Sequence, residues 1–401
     1  MMAHAESLLR HGFEVWLAGF FHTPPAVFLT DHPRFHPVPL ADRFGCGPRG
    51  SGRDWSMGSA LLRQIGLGLE LARSLLLLPR PDIFIAQNPP THPSLPVALL
   101  VARTRRVRLV VDWHNFGHDM AVLRLGTRGP IWRALRALER LLGRGADGHL
   151  AVTEALARFL RESWGLDRVA VLPDLARWGM APRALPERRE LFERITGVRI
   201  ETSTALLASS SSYSLDEDLD MLVDALVRYE ARVRARRGGP TGLALPPVAM
   251  VISGQGPGRA RLEERIASLD LEFVRIQMVF VRLTVYPDLL ASADLGLCLH
   301  RSASGLDFPM KIVDMHASNL PVLAFDYGPV LRDRLVPGQN ALLFDSAATL
   351  ADRLAAVLEG FPASGSALAL MRGSVTRTNT AGWEEAWHDT VFERWLSPTG
   401  S

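Results

Sequence analysis

Short apolar runs recur along this chain with longer helix-patterned stretches between them, and this alternation leaves few folds open. Residues 14–20 (EVWLAGF), 82–86 (DIFIA), 108–113 (RLVVDW) and 148–152 have the length and composition of buried strands. Between them, residues 58–78, 94–103, 130–142 and 153–164 repeat apolar side chains at helical spacing. A second series follows, with strand-like runs at 205–209, 248–253, 272–279, 294–300, 321–325 and 341–344. Helical stretches fit between these at 216–236, 258–269, 287–292, 309–317 and 347–358. Strands that alternate with helices imply parallel, doubly wound sheets and an α/β chain. Residues 173–199, rich in Pro, Arg and Glu, divide the two series. The expected organisation is one domain over 1–180, a second over 200–375, and a terminal helix within 380–397 that crosses back to the first.

One departure concerns the start. A sheet of this type normally opens with a central strand and a ligand-facing loop. This chain opens on the amphipathic helical stretch 2–11, so its first sheet is expected to carry an unpaired gap. Either the sequence is incomplete at its start or the sheet is altered.

At 401 residues and 47% hydrophobic, the chain holds core material for two domains. A formal net charge of +3 offers no broad basic face, and the densest basic run, 228–237, contains Glu230 and reads as the solvated end of a helix, so no nucleic-acid partner is expected. Two distant cysteines, Cys46 and Cys298, point to a reducing compartment without a disulfide frame. No CxxC or HExxH spacing announces a metal. No stretch reaches the roughly 18 uninterrupted apolar residues of a membrane span. The closest, 57–78, is broken by Arg63, Gln64, Glu70 and Arg73; it is expected to pack on a sheet, with docking on a membrane surface as the sharper alternative. Glu6 within residues 1–11 argues against a signal peptide.

Ligands of open α/β sheets bind at the carboxyl ends of the strands, and the polar motifs cluster there. Among 45 Lys-plus-Arg side chains, Lys311 is the sole lysine. Pro309 is placed to open a helix, so Lys311 falls in the first turn, where the helix dipole disfavours a cation unless an anion sits against it. That anion is either a bound phosphate or Asp307, one helical turn earlier. Asp314 follows on the same face. The run Ser209, Ser210, Ser211, Ser212 after a strand suits either a diphosphate or a helix cap. The triplet Asp216, Glu217, Asp218 superficially resembles a metal site but is better explained as acids at a helix start. The turn Gly254, Gln255, Gly256, Pro257, Gly258 permits close approach to a nucleotide. In the first series, Gln87-Asn88-Pro89-Pro90-Thr91-His92-Pro93 is stiff and polar. The segment from Asp112 to Asp119 gathers Asp112, His114, His118 and Asp119 beside Trp113. His114, Asp112 and Asp119 qualify by type as a general base; a hydrogen-bonding His114 and a loop-capping Asp112 are the plainer roles.

Together SGQGP, ADLGLCLHRSASGLDFPMKIVDM, QNPPTHPSLPVA, VVDWHNFGH and SSSYSLDEDLDMLVDAL resemble the chitobiosyldiphosphodolichol β-mannosyltransferase family over nearly the whole chain. The resemblance implies the GT-B fold, with two Rossmann-like domains facing a cleft. It implies inverting, metal-independent transfer of mannose from GDP-mannose to dolichyl diphosphate chitobiose, forming a β-1,4 linkage, with no tightly bound cofactor. It places the enzyme on the cytosolic face of the endoplasmic reticulum membrane, with the membrane surface and other glycosyltransferases of its route as partners. Donor binding would fall to Ser210, Ser211, Gly254, Gly256, His300, Ser304, Gly305, Asp307, Lys311 and Asp314, with Asp314 where this fold places an acid for the donor ribose or sugar. Asn88, Pro89 and Asn115 would meet the acceptor, with His114 or Asp112 as base. Departures are the family's opening strand and GDIGRSPRM-type loop, of which only Met2 matches, its membrane anchor, its Asp-Arg-Pro turn, here LPDL (172–175), and its Trp and acids, here VFVRLTVY (279–286). The alternatives are a GT-B enzyme with another nucleotide sugar or lipid acceptor, and an inactive homologue serving as a partner subunit.

Overall fold

Inner strand runs such as Ala205–Ser210 and Val248–Ser253 are buried, edge runs such as Ile83–Asn88 and Val274–Val279 are mostly half-buried, and the strands pair in parallel throughout. The computed structural model describes residues 1–21, 27–40, 57–125, 128–176, 179–214, 217–237, 245–378 and 382–397. Cys46, Asp216 and most of the loop 237–247 lie outside the described residues. Contacts divide the chain into one unit of Met1–Pro173 with Glu384–Ser401, and a second of Asp174–Trp383.

The first unit contains β1 (Val15–Gly19), β2 (Phe35–Pro39), β3 (Ile83–Asn88), β4 (Arg108–Trp113), β5 (Gly148–Ala151) and β6 (Val169–Val171). These form two sheets, β1-β2 and β3-β4-β5-β6, with registers such as Val15 opposite Phe35 and Val110 opposite Gly148. No ladder joins β1 to β3 among the described residues, which is the break in the sheet that the element order led us to expect. β2 escaped the sequence reading because its Pro37 and Pro39 disfavour a strand; as the outer member of a two-stranded sheet it tolerates them. The Gly117–Leu125 helix and β6 were likewise not expected.

The second unit contains β7 (Ala205–Ser210), β8 (Val248–Ser253), β9 (Val274–Val279), β10 (Leu295–Cys298), β11 (Val322–Phe325) and β12 (Ala341–Phe344) in one sheet, order β12-β11-β10-β7-β8-β9. All six runs were legible in the sequence. Side chains of β7 alternate between faces: Ala205 and Leu207 join the core beneath the Leu219–Arg237 helix, while Leu206 and Ala208 join the one containing Phe192 and Ile312. The strand order reverses direction between β7 and β10, the position at which open α/β sheets place a ligand crevice, and the segments after these two strands meet at a bridge between Glu217 and His300.

The stretch 173–199 is more than a connection. It contains the Leu185–Thr196 helix, which belongs to the second unit and buries Arg188 and Arg189. Both donate to fully buried Asp294, at 2.7 and 2.5 Å, and the same carboxylate accepts the Leu206 amide at 2.7 Å. Burial pulls the Arg188 guanidinium down, while Asp294 opposes that fall. Arg372 of the Ala367–Thr378 helix caps the neighbouring Ala293 and Asp294 carbonyls at 2.6 and 2.9 Å. Cys298 is a free, buried thiol that burial pushes up to about 11. Among the described residues no helix is long and apolar enough to cross a membrane.

Replacing Asp294 by Asn leaves two buried guanidiniums without their anion. D294N is expected to lower the stability of the second unit by about 3–5 kcal/mol, measured by urea denaturation.

Candidate functional site

Two clusters of polar side chains stand at strand ends, one in each unit. In the second unit the crevice loops are those after β7 and β10. The loop after β7 turns through Ser211, whose hydroxyl donates to Glu217 Oε2 at 2.7 Å and accepts the Tyr213 amide at 2.9 Å. The Ser212 amide also donates to Glu217 Oε2, at 3.1 Å. These serines do not cap the following helix: Asp218 does, accepting the Met221 amide at 2.9 Å. Of the acidic triplet, then, Asp218 fits the helix-start reading while Glu217 turns inward. Among the described residues no cluster of acids, His and Cys can hold a metal.

The anion against Lys311 is Glu217. Lys311 lies in the first turn of the Met310–Ala317 helix, after the N-cap Pro309, and its ammonium donates to Glu217 Oε1. Asp307, the ion-pair partner expected from the sequence, is engaged elsewhere. It accepts from the Ser302 hydroxyl, lies 3.1 Å from His300 Nε2, and meets Ser304 Oγ at 3.5 Å. Its carbonyl accepts from Tyr327 at 2.8 Å. Asp307 is therefore the brace of its own loop. Gly305 adopts φ +75°, and its amide donates to Ser302 at 2.7 Å. Ser210 accepts from the Tyr286 hydroxyl at 3.0 Å, and Tyr286 is raised by burial and then by nearby Asp314.

The glycine turn after β8 packs against protein before any ligand. A Cβ on Gly254 would lie 1.9 Å from the Ser211 carbonyl oxygen, and one on Gly256 would lie 1.7 Å from that of Ser212. Their small size is what lets the two loops touch.

In the first unit, Asp112 near the end of β4 is buried and shared by two histidines. His114 Nε2 lies 2.9 Å, and His4 Nε2 3.2 Å, from the same Oδ2. An indole N–H only donates, and Trp387 Nε1 points at His4 Nδ1 at 3.0 Å, so His4 carries its proton on Nε2 toward Asp112. Burial alone would push the Asp112 carboxyl up, but His114 and His4 hold it well below the usual carboxylate range. Asp112 is thus an anion that orients imidazoles rather than a loop cap.

The neighbouring loops converge on Glu139. Its carboxylate accepts from Asn88 at 2.7 Å, Thr91 at 2.7 Å, and the Gly117 amide at 2.9 Å. It also accepts from the His118 amide at 3.1 Å and meets His118 Nδ1 at 2.5 Å. Asn88 is fully buried; its amide also donates to the Asn115 carbonyl, and its oxygen lies 2.8 Å from Thr91 Oγ1, which shares its one proton between Asn88 and Glu139. Asn88 therefore supports the loops from beneath, where an acceptor contact was expected of it. Asn115 caps its own turn by accepting the Phe116 amide at 2.8 Å. Asp119 accepts from Trp132 at 3.0 Å. Sequence reasoning missed Glu139, His4 and Trp387. The signal for Glu139 was present: an acid in line with Trp132, Leu135 and Leu142, on the apolar face of the Pro130–Arg144 helix.

Burial raises the Glu139 carboxyl, and the His118, Gly117 and Thr91 donors outweigh that to leave it lowered. A lowered carboxyl contributes stability that is present above its unfolded value near 4.5 and is lost as pH falls through the folded value. E139Q is expected to destabilise the first unit by about 2–3 kcal/mol at neutral pH. The gap should narrow in acid, as urea unfolding followed by tryptophan fluorescence will read; a pH-independent gap would refute the charged role.

Comparison with known proteins adds to this geometry. Residues 1–174 match the glycosyl transferase 4-like domain family, and residues 216–360 match glycosyl transferases group 1. The chain is similar to the UDP-glycosyltransferase TURAN of Arabidopsis thaliana, with 32% identity covering 97% of this chain and 92% of that protein. It is also similar to the chitobiosyldiphosphodolichol β-mannosyltransferase of Mus musculus, with 32% identity over 98% of this chain and 85% of that one. The Homo sapiens protein of the same name is 31% identical over 98% and 88%. Among solved structures, HepE of Anabaena in complex with UDP-glucose aligns with TM-score 0.64 at 15% identity, over 97% of this chain and 95% of that one, a likeness of fold.

Proposed function

Because the chain belongs to the chitobiosyldiphosphodolichol β-mannosyltransferase family, we propose that it moves mannose from GDP-mannose to a chitobiosyl diphospholipid, inverting the anomeric carbon to give a β-1,4 linkage. Its fold is GT-B, with two Rossmann-like units, and it is a glycosyltransferase. The observation that carries the finer reading is the lone lysine at the sheet's switch point, set in a helix first turn and charge-balanced by one inward glutamate.

In this reading the second unit holds the donor. The glycosidic bond from mannose to the phosphate oxygen breaks, and the departing nucleoside diphosphate gains negative charge. Lys311 and the amides of the helix first turn meet that charge without a metal. A diphosphate arriving there competes with Glu217 for the ammonium, so the carboxylate keeps Lys311 neutralised until the donor binds. Asp314, beside Tyr286, hydrogen-bonds donor hydroxyls, and the loop braced by Asp307 and His300 presents Ser304 and Gly305 to the sugar.

The first unit supplies the base. An acceptor hydroxyl attacks the anomeric carbon and gives its proton to His114, whose imidazolium Asp112 stabilises. His4 and Trp387 hold Asp112 in place. Pro89 and Asn115 lie with the loop that meets the acceptor, and Glu139 fixes that loop. The reaction belongs at the cytosolic face of the endoplasmic reticulum membrane, where a dolichyl diphosphate acceptor and other glycosyltransferases of the same assembly are its partners.

The second reading, a uridine nucleotide donor, is favoured by the name of the Arabidopsis relative. Labelled transfer to a synthetic chitobiosyl diphospholipid from GDP-mannose, run beside UDP-glucose, separates the two. Calorimetric binding of each nucleotide sugar tests the donor site even without turnover. Binding of UDP-glucose but not GDP-mannose would overturn the mannose reading.

K311A is expected to lower kcat/KM about 100-fold. Unchanged transfer by K311R would remove the specific need for an ammonium. H114A is expected to lower kcat on the order of 100- to 10,000-fold, with GDP-mannose binding unaltered. Loss of donor binding in H114A would instead mark a structural histidine.

A further inference from the structure

The Pro130–Arg144 helix has an outward surface that neither the sheets nor the strand-end loops use. Its inward side carries buried Glu139 and Gly143. Outward, Ile131, Leu138 and Leu141 are exposed, Leu141 to 65%. With Ala134 they recur at helical spacing and form one apolar stripe. Arg133, Arg136, Arg140 and Arg144 form a second stripe along the same helix. Among the described residues no carboxylate pairs with any of these four. Arg140 and Arg144 donate to the Trp164 carbonyl at 3.3 and 3.2 Å, and Arg136 lies over Trp132 and Phe159. The only acid of the helix, Glu139, is turned inward and spent on the loops. On a chain whose formal net charge is +3, this is a local surplus.

The arginines, with Trp132, Leu141 and Trp164, line a hollow of about 470 Å³. Trp164 is buried, and its indole N–H has no hydrogen-bond partner among the described residues. The neighbouring Ser94–Arg105 helix exposes Leu100, and the Met57–Leu77 helix beside that exposes Leu62, Ile65 and Leu69 at helical spacing.

We propose that this helix is the surface by which the first unit lies on an anionic phospholipid bilayer. The leucine stripe enters the boundary between headgroups and acyl chains, and the arginines reach lipid phosphates, with one headgroup phosphate seated in the hollow. A bilayer layers its apolar and anionic zones within a few ångströms, the pattern the two stripes present side by side. An acidic protein surface would satisfy the arginines but leave the exposed leucines facing polar groups. Charge and exposure alone carry this surface, which stands or falls apart from the choice of donor sugar.

The test is co-sedimentation of the whole chain with vesicles of phosphatidylcholine alone or mixed with phosphatidylinositol. Binding to the anionic vesicles, weakening with salt, is expected. The variant Arg133→Gln/Arg136→Gln/Arg140→Gln should bind on the order of 100-fold more weakly, at roughly five-fold for each charge near the surface. The corresponding triple Lys variant should largely retain binding, which a structural role for the guanidiniums would not predict. Leu138→Ser/Leu141→Ser should weaken binding while leaving its salt dependence. Unchanged near-ultraviolet circular dichroism shows that the variants are folded. Equal binding to neutral vesicles, undiminished binding by the triple Gln variant, or no vesicle binding would each overturn the proposal. So would displacement by inorganic phosphate at concentrations too low to screen charge, which would locate a soluble-anion site.

Discussion

A parallel sheet delivers the carboxyl end of every strand to the same edge, and in each unit of this chain buried carboxylates stand near that edge. Charge there must be balanced, because an isolated ion in a protein interior is expensive. Each carboxylate is accordingly met by donors from another part of the chain: Glu217 by Ser211 and Lys311, Asp112 by His114 and His4, Glu139 by two loops. The loops have little regular structure of their own, and these carboxylates set their shape. Asp294 does the same at the other end of the second sheet, tying the Leu185–Thr196 helix to the start of β7.

What was legible in the sequence follows from what is local. Buried strands of the second unit announce themselves as apolar runs, and all six were readable. The first unit was harder, since β2 hides behind two prolines; in the second, the Leu185–Thr196 helix hides in a stretch whose Pro, Arg and Glu content suggests a linker. Two of those arginines are buried, which composition does not reveal, since arginine reads as solvated until its anion, Asp294, is known.

The same limit applies to the site. The sequence could say that a cation in a helix first turn needs an anion and could offer Asp307 from spacing. It could not offer Glu217, 94 positions away, because tertiary pairing has no local signature. His4 and Trp387 are 383 positions apart and meet only after the terminal segment has returned to the first unit. Glu139 is the exception, an acid in an apolar stripe that a helical wheel exposes. The fold was therefore readable, and with it which polar segments stand at the strand ends, while the partners that hold them were not. The balance between lysine and arginine fits this picture: a compact ammonium can share one carboxylate oxygen and still turn to a ligand, which a planar guanidinium does less readily.

The contact between the glycine turn and the serine loop has a consequence for how this protein can vary. Since the backbone of the serine loop fills the space where Gly254 and Gly256 would carry side chains, a change of shape in either loop is felt by the other. Gly254 and Gly256 are closed to substitution by ordinary residues on steric grounds alone. Diversity in what the second unit accepts has to arise at side chains that point away from this seam, such as those of the loop after β10, and the seam itself is a fixed datum against which they are measured.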